Sequence, residues 1–220
     1  LECLLHEKPF DGVNGSGMHI NMSLEDMEGN NLFADGADAH GLSKLGYQFM
    51  AGILCHIKPM TILTNPLVNS YKRLIPGYDA PTRIAWSTAS NRGQLIRIPT
   101  SRDENTRIEL RSPDSAMNPY LALAACLAAG LDGIKKNMTH PRAISRNVMT
   151  MTEEELTEQG ISQLPETLGE AIEEFAKDGF LKEVLGKHIH SKYLAAKKEE
   201  WNEFRSQVTD WEIGQYLYKF

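Results

Sequence analysis

At 220 residues, 41% hydrophobic and 24% charged, the chain has the composition of a water-soluble globular protein with one or two cores, since domains run to roughly 100–200 residues. Its formal net charge of −6 and pI near 5.7 exclude a general nucleic-acid binder, which needs a basic face. Any anionic ligand must therefore be met by local positive charge. No apolar run reaches the length of a membrane span. Cys3, Cys55 and Cys126 are odd in number and far apart, with no CxxC pair. They are expected to be buried, reduced thiols of a cytoplasmic protein.

The first residues, Leu1 to Leu5, read as a strand and lack the features of a secretory signal. Asn14 to Leu24 (NGSGMHINMSL) alternates. Met18, Ile20, Met22 and Leu24 fall on one face of a strand, and His19, Asn21 and Ser23 on the other. The same alternation would suit a surface strand whose polar face meets water. Lys44 to Ile57 is helical, with Leu45, Phe49, Ile53 and Ile57 on one face. Residues 69–81, NSYKRLIPGYDAP, form a loop punctuated by proline and glycine that carries Lys72, Arg73 and Asp79.

In NRGQLIRIP, residues 91–99, Arg97 faces away from Ile96 and Ile98 if the run is a strand, and Arg92 lies just ahead of it. Arg107 to Arg111 (RIELR) puts Ile108 and Leu110 on one face and Arg107, Glu109 and Arg111 on the other. That face is either an ion-paired surface or a site in which Glu109 binds a cation and the arginines hold an anion.

Past residue 113 the pattern turns helical. Asn118 and Pro119 form a cap and first-turn proline. Tyr120 to Lys136 is apolar nearly all round, which predicts a deeply buried helix of about five turns. Ser162 to Gly186 is a second helical region, with Leu168, Ile172 and Phe175 as its stripe. Lys192 to Val208 is a third, with Leu194, Trp201, Phe204 and Val208. His188 and His190 read as surface residues. Trp211 to Phe220 is an aromatic tail. The class is α+β, with a sheet-rich half over 1–113 and a helical half over 114–220.

An acidic chain thus places Arg73, Arg92, Arg97, Arg107 and Arg111 close together in sequence, with His19 and Glu109 as hard-metal ligands. If the strands are neighbours, this is a site for a polyanion with Mg²⁺ or Mn²⁺, which suits phosphoryl chemistry. P-loop, dinucleotide and HExxH signatures are absent.

The runs NGSGMH (14–19), NSYKRLIPGYDAP (69–81), NRGQLIRIP (91–99), RIELRSPD (107–114) and NPYLALAACLAAGLDGIKK (118–136) resemble bacterial and archaeal type I glutamine synthetases, in order and over nearly the whole chain. That family joins ammonia to glutamate with ATP through γ-glutamyl phosphate, using Mg²⁺ or Mn²⁺. The resemblance implies the glutamine synthetase catalytic-domain fold, a largely antiparallel sheet followed by packed helices, truncated at its N-terminus.

It also implies roles. His19 and Glu109 would be metal ligands. Arg92 and Arg97 would act at the transferring phosphate, and Arg97 would lie near the substrate as well. Arg73 and Arg111 would hold the glutamate carboxylates, and Asn14 and Gly15 the amino-acid end. Ser23, Arg92 and Arg107 would serve ATP. Asp79 stands where the family usually has a glutamate that receives ammonium, and it is shorter by one methylene. Gly93 replaces a serine. Met149 occupies the place of a tyrosine that some members adenylylate, which argues against that control.

Most of the family's metal-binding glutamates lie upstream of the matching region, so the 220 residues alone are expected to be inactive. The whole enzyme is expected to be a cytoplasmic dodecamer of two hexameric rings, tied together by the C-terminal helix. Two other readings are a γ-glutamyl-polyamine or amine ligase of the same superfamily and a non-catalytic binding or regulatory domain.

Overall fold

The computed structural model describes residues 6–88 and 93–219. The strand expected at Leu1 to Leu5 and the expected site residue Arg92 lie outside these.

Among the described residues four strands form a mixed sheet: β1 (Ile20–Met22), β2 (Arg83–Ser87), β3 (Gln94–Arg97) and β4 (Ile108–Leu110). Their order is β1-β4-β3-β2. β4 pairs antiparallel with both β1 and β3, and β2 pairs parallel with β3. The expected alternation is realised within the strands, although Met18, expected on the apolar face, precedes β1 and is 43% exposed. Ile20, Ile96, Ile108 and Leu110 join the main core, where period-2 apolar residues must go when one face of a sheet is covered.

The apolar side meets α1 (Lys44–Thr64), whose buried residues dominate the same core. Ser43 caps α1 by accepting from Gly46 N. The helix runs seven residues beyond the expected Ile57 and passes through Pro59. Met60, Ile62 and Leu63 are fully buried past that point, and their burial outweighs the hydrogen bond that proline removes. The expected loop 69–81 opens as a short helix, α2 (Val68–Arg73).

α3 (Pro119–Lys135) has the expected cap, with Asn118 Oδ1 accepting from Tyr120 N and Leu121 N. It is not deeply buried. Ala122, Ala125, Cys126, Ala129, Gly130 and Gly133 face α1, while Leu123 and Leu127 remain about half exposed. The two helices approach until their backbones touch. A Cβ on Gly52 would lie 2.0 Å from Ala129 O, and one on Gly133 would lie 2.1 Å from Gln48 O.

α4 (Glu153–Glu158) sits on a small second core of Ala85, Ile144, Val148, Met151, Leu156 and Ile161. The second expected helical region divides. α5 (Leu168–Lys177) buries Leu168, Ile172 and Phe175 as expected and ends at Asp178. The Asp178 carboxylate caps α6 (Gly179–Arg205), which kinks at Gly186 (φ 75°) and absorbs the third expected region. Val208 lies beyond α6 and is exposed. The tail gives α7 (Asp210–Tyr216), which buries nothing.

Two cysteine and histidine expectations fail. Cys126 is buried, and burial pushes its thiol up to about 12, but Cys55 is exposed on α1. His190 is buried rather than on the surface. It stacks on Phe175 at 4.3 Å and its Nε2 lies 3.2 Å from Phe175 O.

The α1–α3 contact leaves no room for a methyl group. Gly52→Ala should cost about 1–3 kcal/mol through overpacking. Gly36→Ala, where a Cβ meets nothing within 4 Å, should leave the urea midpoint nearly unchanged. Equilibrium denaturation of both variants checks this.

Candidate functional site

The sheet register builds the site. Asn21 pairs with Glu109 across β1 and β4, and Glu109 pairs with Arg97 across β4 and β3. Three polar side chains therefore form one row on the face away from the core. His19, two residues before Asn21, reaches the same row.

Glu109 is the centre of the row and is buried at 5% exposure. Its Oε1 lies 2.9 Å from His19 Nδ1. Its Oε2 lies 2.6 Å from Arg97 Nε and 3.5 Å from an Arg111 terminal nitrogen. The Arg97 contact is an ion pair whose N–H does not aim at the oxygen. A buried carboxylate needs partners of this kind to keep its charge. Burial, with Arg111 next in effect, lowers the His19 pKa below its ordinary 6.5, although the Glu109 hydrogen bond opposes the shift. A neutral imidazole with its lone pair available is what a metal ligand requires.

The row opens on a cavity of about 490 Å³ lined by Asn14, Gly15, Gly17, His19, Arg73, Tyr78, Asp79, Ala80, Arg97, Glu109 and Arg111. Three guanidiniums face two carboxylates there, so an acidic protein carries a locally cationic hollow. Asn14 Nδ2 donates to Asp79 Oδ2 at 3.3 Å across its mouth.

Two glycines of the NGSGMH run are required sterically. A Cβ on Gly15 would lie 1.9 Å from Glu7 O, and one on Gly17 would lie 2.5 Å from an Arg73 terminal nitrogen. The backbone thus yields its space to the Arg73 guanidinium.

Arg73, 3% exposed, is held from behind. It donates to Ser112 O at 2.7 Å and to Arg111 O at 3.3 Å. Those carbonyls belong to a turn fixed by two fully buried side chains. Asn65 Nδ2 donates to Ser112 O at 2.8 Å and to Asp114 Oδ2 at 3.0 Å. Asp114 Oδ1 accepts from Ala116 N at 3.0 Å. Burial raises the Asp114 pKa, while hydrogen bonds from Ser70 and Asn65 and the charge of Arg73 oppose the rise.

The structure thus gathers Asn14, Gly15, His19, Arg73, Asp79, Arg97, Glu109 and Arg111 around one cavity. It leaves Ser23 and Arg107 off the lining. Arg107 Nε donates to Asn21 Oδ1 at 3.0 Å, farther along the same sheet face. Gly93 lies outside the cavity too, where a Cβ would meet Val148 Cγ2 at 2.9 Å and Met149 Cγ at 3.1 Å. Tyr78, Asn65 and Asp114 escaped the sequence reading. Tyr78 sits beside Asp79 and could have been flagged by position, but Asn65 and Asp114 carry no periodic signal.

A divalent ion that accepts imidazole and carboxylate suits the His19–Glu109 pair. Among the described residues no third His, Cys, Asp or Glu joins them in a metal-binding group, so the pair supplies part of a coordination sphere.

Two solution measurements check this geometry. Asn65→Ala should remove one buried donor from each of Asp114 and the Ser112 carbonyl and lower stability by about 1–3 kcal/mol in urea. His19 should titrate below 6.5 in a histidine NMR experiment. Because its folded pKa is depressed, its contribution to stability is present above pH 6.5 and is lost as pH falls toward the folded value.

Comparison with known proteins adds to the geometry. The profile of the family described as "Glutamine synthetase, catalytic domain" matches residues 1–216. The chain is similar to the glutamine synthetase of Clostridium saccharobutylicum, 52% identical over 213 residues, covering 97% of this chain and 48% of that protein. The glutamine synthetase of Methanocaldococcus jannaschii is 49% identical over 218 residues, covering 99% and 48%. That of Thermus thermophilus is 50% identical over 210 residues, covering 96% and 47%. A solved structure titled "GmaS/ADP complex-Conformation 1" superposes with a TM-score of 0.86 at 35% identity, over 97% of this chain and 49% of that one. "Apo GmaS without ligand" gives 0.81 at 34% identity, over 97% and 48%. The chain spans about half the length of the curated relatives it matches.

Proposed function

Since the chain belongs to the glutamine synthetase catalytic-domain family, we propose that it forms the glutamate- and phosphate-facing half of an ATP-dependent ligase joining ammonia to glutamate. The observation that carries this reading is the convergence of Arg73, Arg97 and Arg111 on one cavity beside His19 and Glu109. A glutamyl phosphate brings an α-carboxylate and a phosphoryl group into a single small space. Several fixed cations are needed to hold both.

Arg73 and Arg111 are the carboxylate holders. Both are buried and anchored, so little side-chain entropy is lost when the substrate binds. Arg97 is the more exposed of the three and stands at the Glu109 end, where it can follow charge onto the transferring phosphoryl oxygens. His19 and Glu109 would hold a divalent ion, Mg²⁺ or Mn²⁺, which when bound neutralises phosphate oxygens of ATP. Arg107 and Ser23, farther along the sheet face, are assigned to the nucleotide. Arg92 completes the phosphate set by its place in the NRGQLIRIP run. The solved relative whose title names an ADP complex supports nucleotide binding by a protein of this fold.

Asp79 and Asn14 bridge the cavity mouth and form the entrance for ammonium. The Asp79 carboxylate binds the cation and takes its proton, releasing ammonia to attack the γ-carbonyl carbon and expel phosphate. The shorter side chain favours a second reading, a γ-glutamyl ligase acting on a larger amine. Aspartate leaves one methylene of extra space where glutamate would stand.

The whole enzyme is proposed to be a cytoplasmic dodecamer of two hexameric rings. Trp211, Ile213 and Tyr216 on α7 are exposed and available to a facing subunit.

Glutamate-dependent release of ADP tests the proposal. The 220-residue chain alone should show none. Supplied with the upstream half of a relative, it should release ADP when given glutamate and ammonium. A preference for methylamine or putrescine over ammonium would select the second reading, and ADP release independent of glutamate would overturn both. In the active assembly, Arg73→Lys should raise KM for glutamate roughly tenfold while kcat changes less, because lysine cannot reproduce the guanidinium fork.

A further inference from the structure

α3 is apolar nearly all round, and among the described residues one face stays uncovered while others meet α1 and α6. Tyr120, Leu123, Leu127 and Leu131 succeed one another at intervals of three, four and four, so they share one helical face. Their exposures are 85%, 49%, 47% and 36%. Ala124, also exposed, lies among them. The stripe runs about 16 Å along the helix, and no charged residue interrupts α3 before Asp132. An exposed face of this kind marks a surface that another polypeptide covers.

The position of the stripe says what covers it. α1 packs against α3 and against α5. The segment leading into α5 is stitched to β2: Gln163 bridges Arg83, and Ile84 N donates to Ser162 O at 2.8 Å. The segment leading into α3 is stitched to the start of β1: Gly17 bridges Asp114, and Met18 N donates to Pro113 O at 2.9 Å. β1 and β2 are the two ends of the sheet. The bare stripe therefore lies on the β1 side, where the helix layer and the sheet both end among the described residues. The same side carries His19, one half of an incomplete metal-ligand pair. The relatives contain about as much chain again as this one matches.

We propose that the outer stripe of α3 is the seat of an amphipathic helix from the other half of the glutamine synthetase fold, which extends the helix layer past α3 and the sheet past β1. Leu123 and Leu127, at the centre of the stripe, are its anchors. Recognition is apolar, with side chains of the incoming helix packed between the leucines and Tyr120. The inference rests on family membership and fold geometry and does not depend on the chemistry proposed above.

The test is a binding measurement, so an inactive enzyme would not confuse it. The 220-residue chain is co-expressed with a separately tagged upstream half of the Clostridium saccharobutylicum relative, and complex formation is measured by sedimentation. The wild-type pair should form a 1:1 unit, which need not be the final assembly. Leu127→Asp should weaken it on the order of a hundredfold, while Leu127→Met should retain it. Circular dichroism should show the helix content of Leu127→Asp unchanged, because the residue is half exposed in the chain alone. Nitration of Tyr120 should be fast in the chain alone and slow in the complex. Failure of the wild-type pair to associate, or association indifferent to Leu127→Asp, would overturn the proposal. So would a chain that self-associates when alone and becomes monomeric on Leu127→Asp, because a second copy would then be the occupant.

Discussion

Glu109 is an ionisable carboxylate in the middle strand of a three-strand row, 5% exposed, and the order of the polar face follows from how its charge is met. A charge taken out of water costs several kcal/mol unless partners surround it. Here the partners come from three directions: His19 from the β1 side, Arg97 from β3 and Arg111 from the end of β4 itself. Only the observed register provides them. A slip of one residue would turn all these side chains into the core and expose the isoleucines. The requirement that fixes the apolar core also fixes the polar row, and the cavity is a consequence of both.

The arginine that completes the cavity is fixed by a different device. Arg73 comes from the end of α2, outside the sheet, and its guanidinium is captured by backbone carbonyls instead of a carboxylate. Among the described residues no carboxylate is hydrogen-bonded to it, although the buried Asp114 lies near enough to feel its charge. The carbonyls are held still by Asn65 and Asp114, which sit at the end of α1 and in the turn before α3. α1 and α3 are in turn locked backbone to backbone at Gly52 and Gly133. The route from helix packing to a positioned cation is continuous, so the rigidity of the helix pair serves the site.

Much of this was legible in the sequence because strands repeat every two residues. His19, Asn21, Arg97, Glu109 and Arg111 could be put on polar faces from alternation alone, and the paired strands then brought them together. The Asn118–Pro119 start of α3 was legible from cap chemistry. What periodicity could not supply was depth. A helix apolar all round reads as deeply buried, yet α3 buries only its small residues and leaves Leu123 and Leu127 half exposed. The apolar stripe was readable only as far as Ile57, but core packing carries α1 through Pro59 to Thr64. His190 looked like a surface residue until the kink at Gly186 turned it onto Phe175. The Asn65–Asp114 pair joins residues 49 apart through hydrogen bonds that no local pattern announces.

The claim at the centre of this account is that the polar row is a ligand site whose metal end is the His19–Glu109 pair. Anomalous diffraction from crystals of the chain paired with its upstream half, grown with Mn²⁺ and ADP, tests it most directly. The account predicts a manganese peak within coordination distance of both His19 and Glu109, at the edge of the cavity lined by Arg73 and Arg111. Manganese bound only elsewhere, with His19 and Glu109 still joined to each other as they are here, would contradict it.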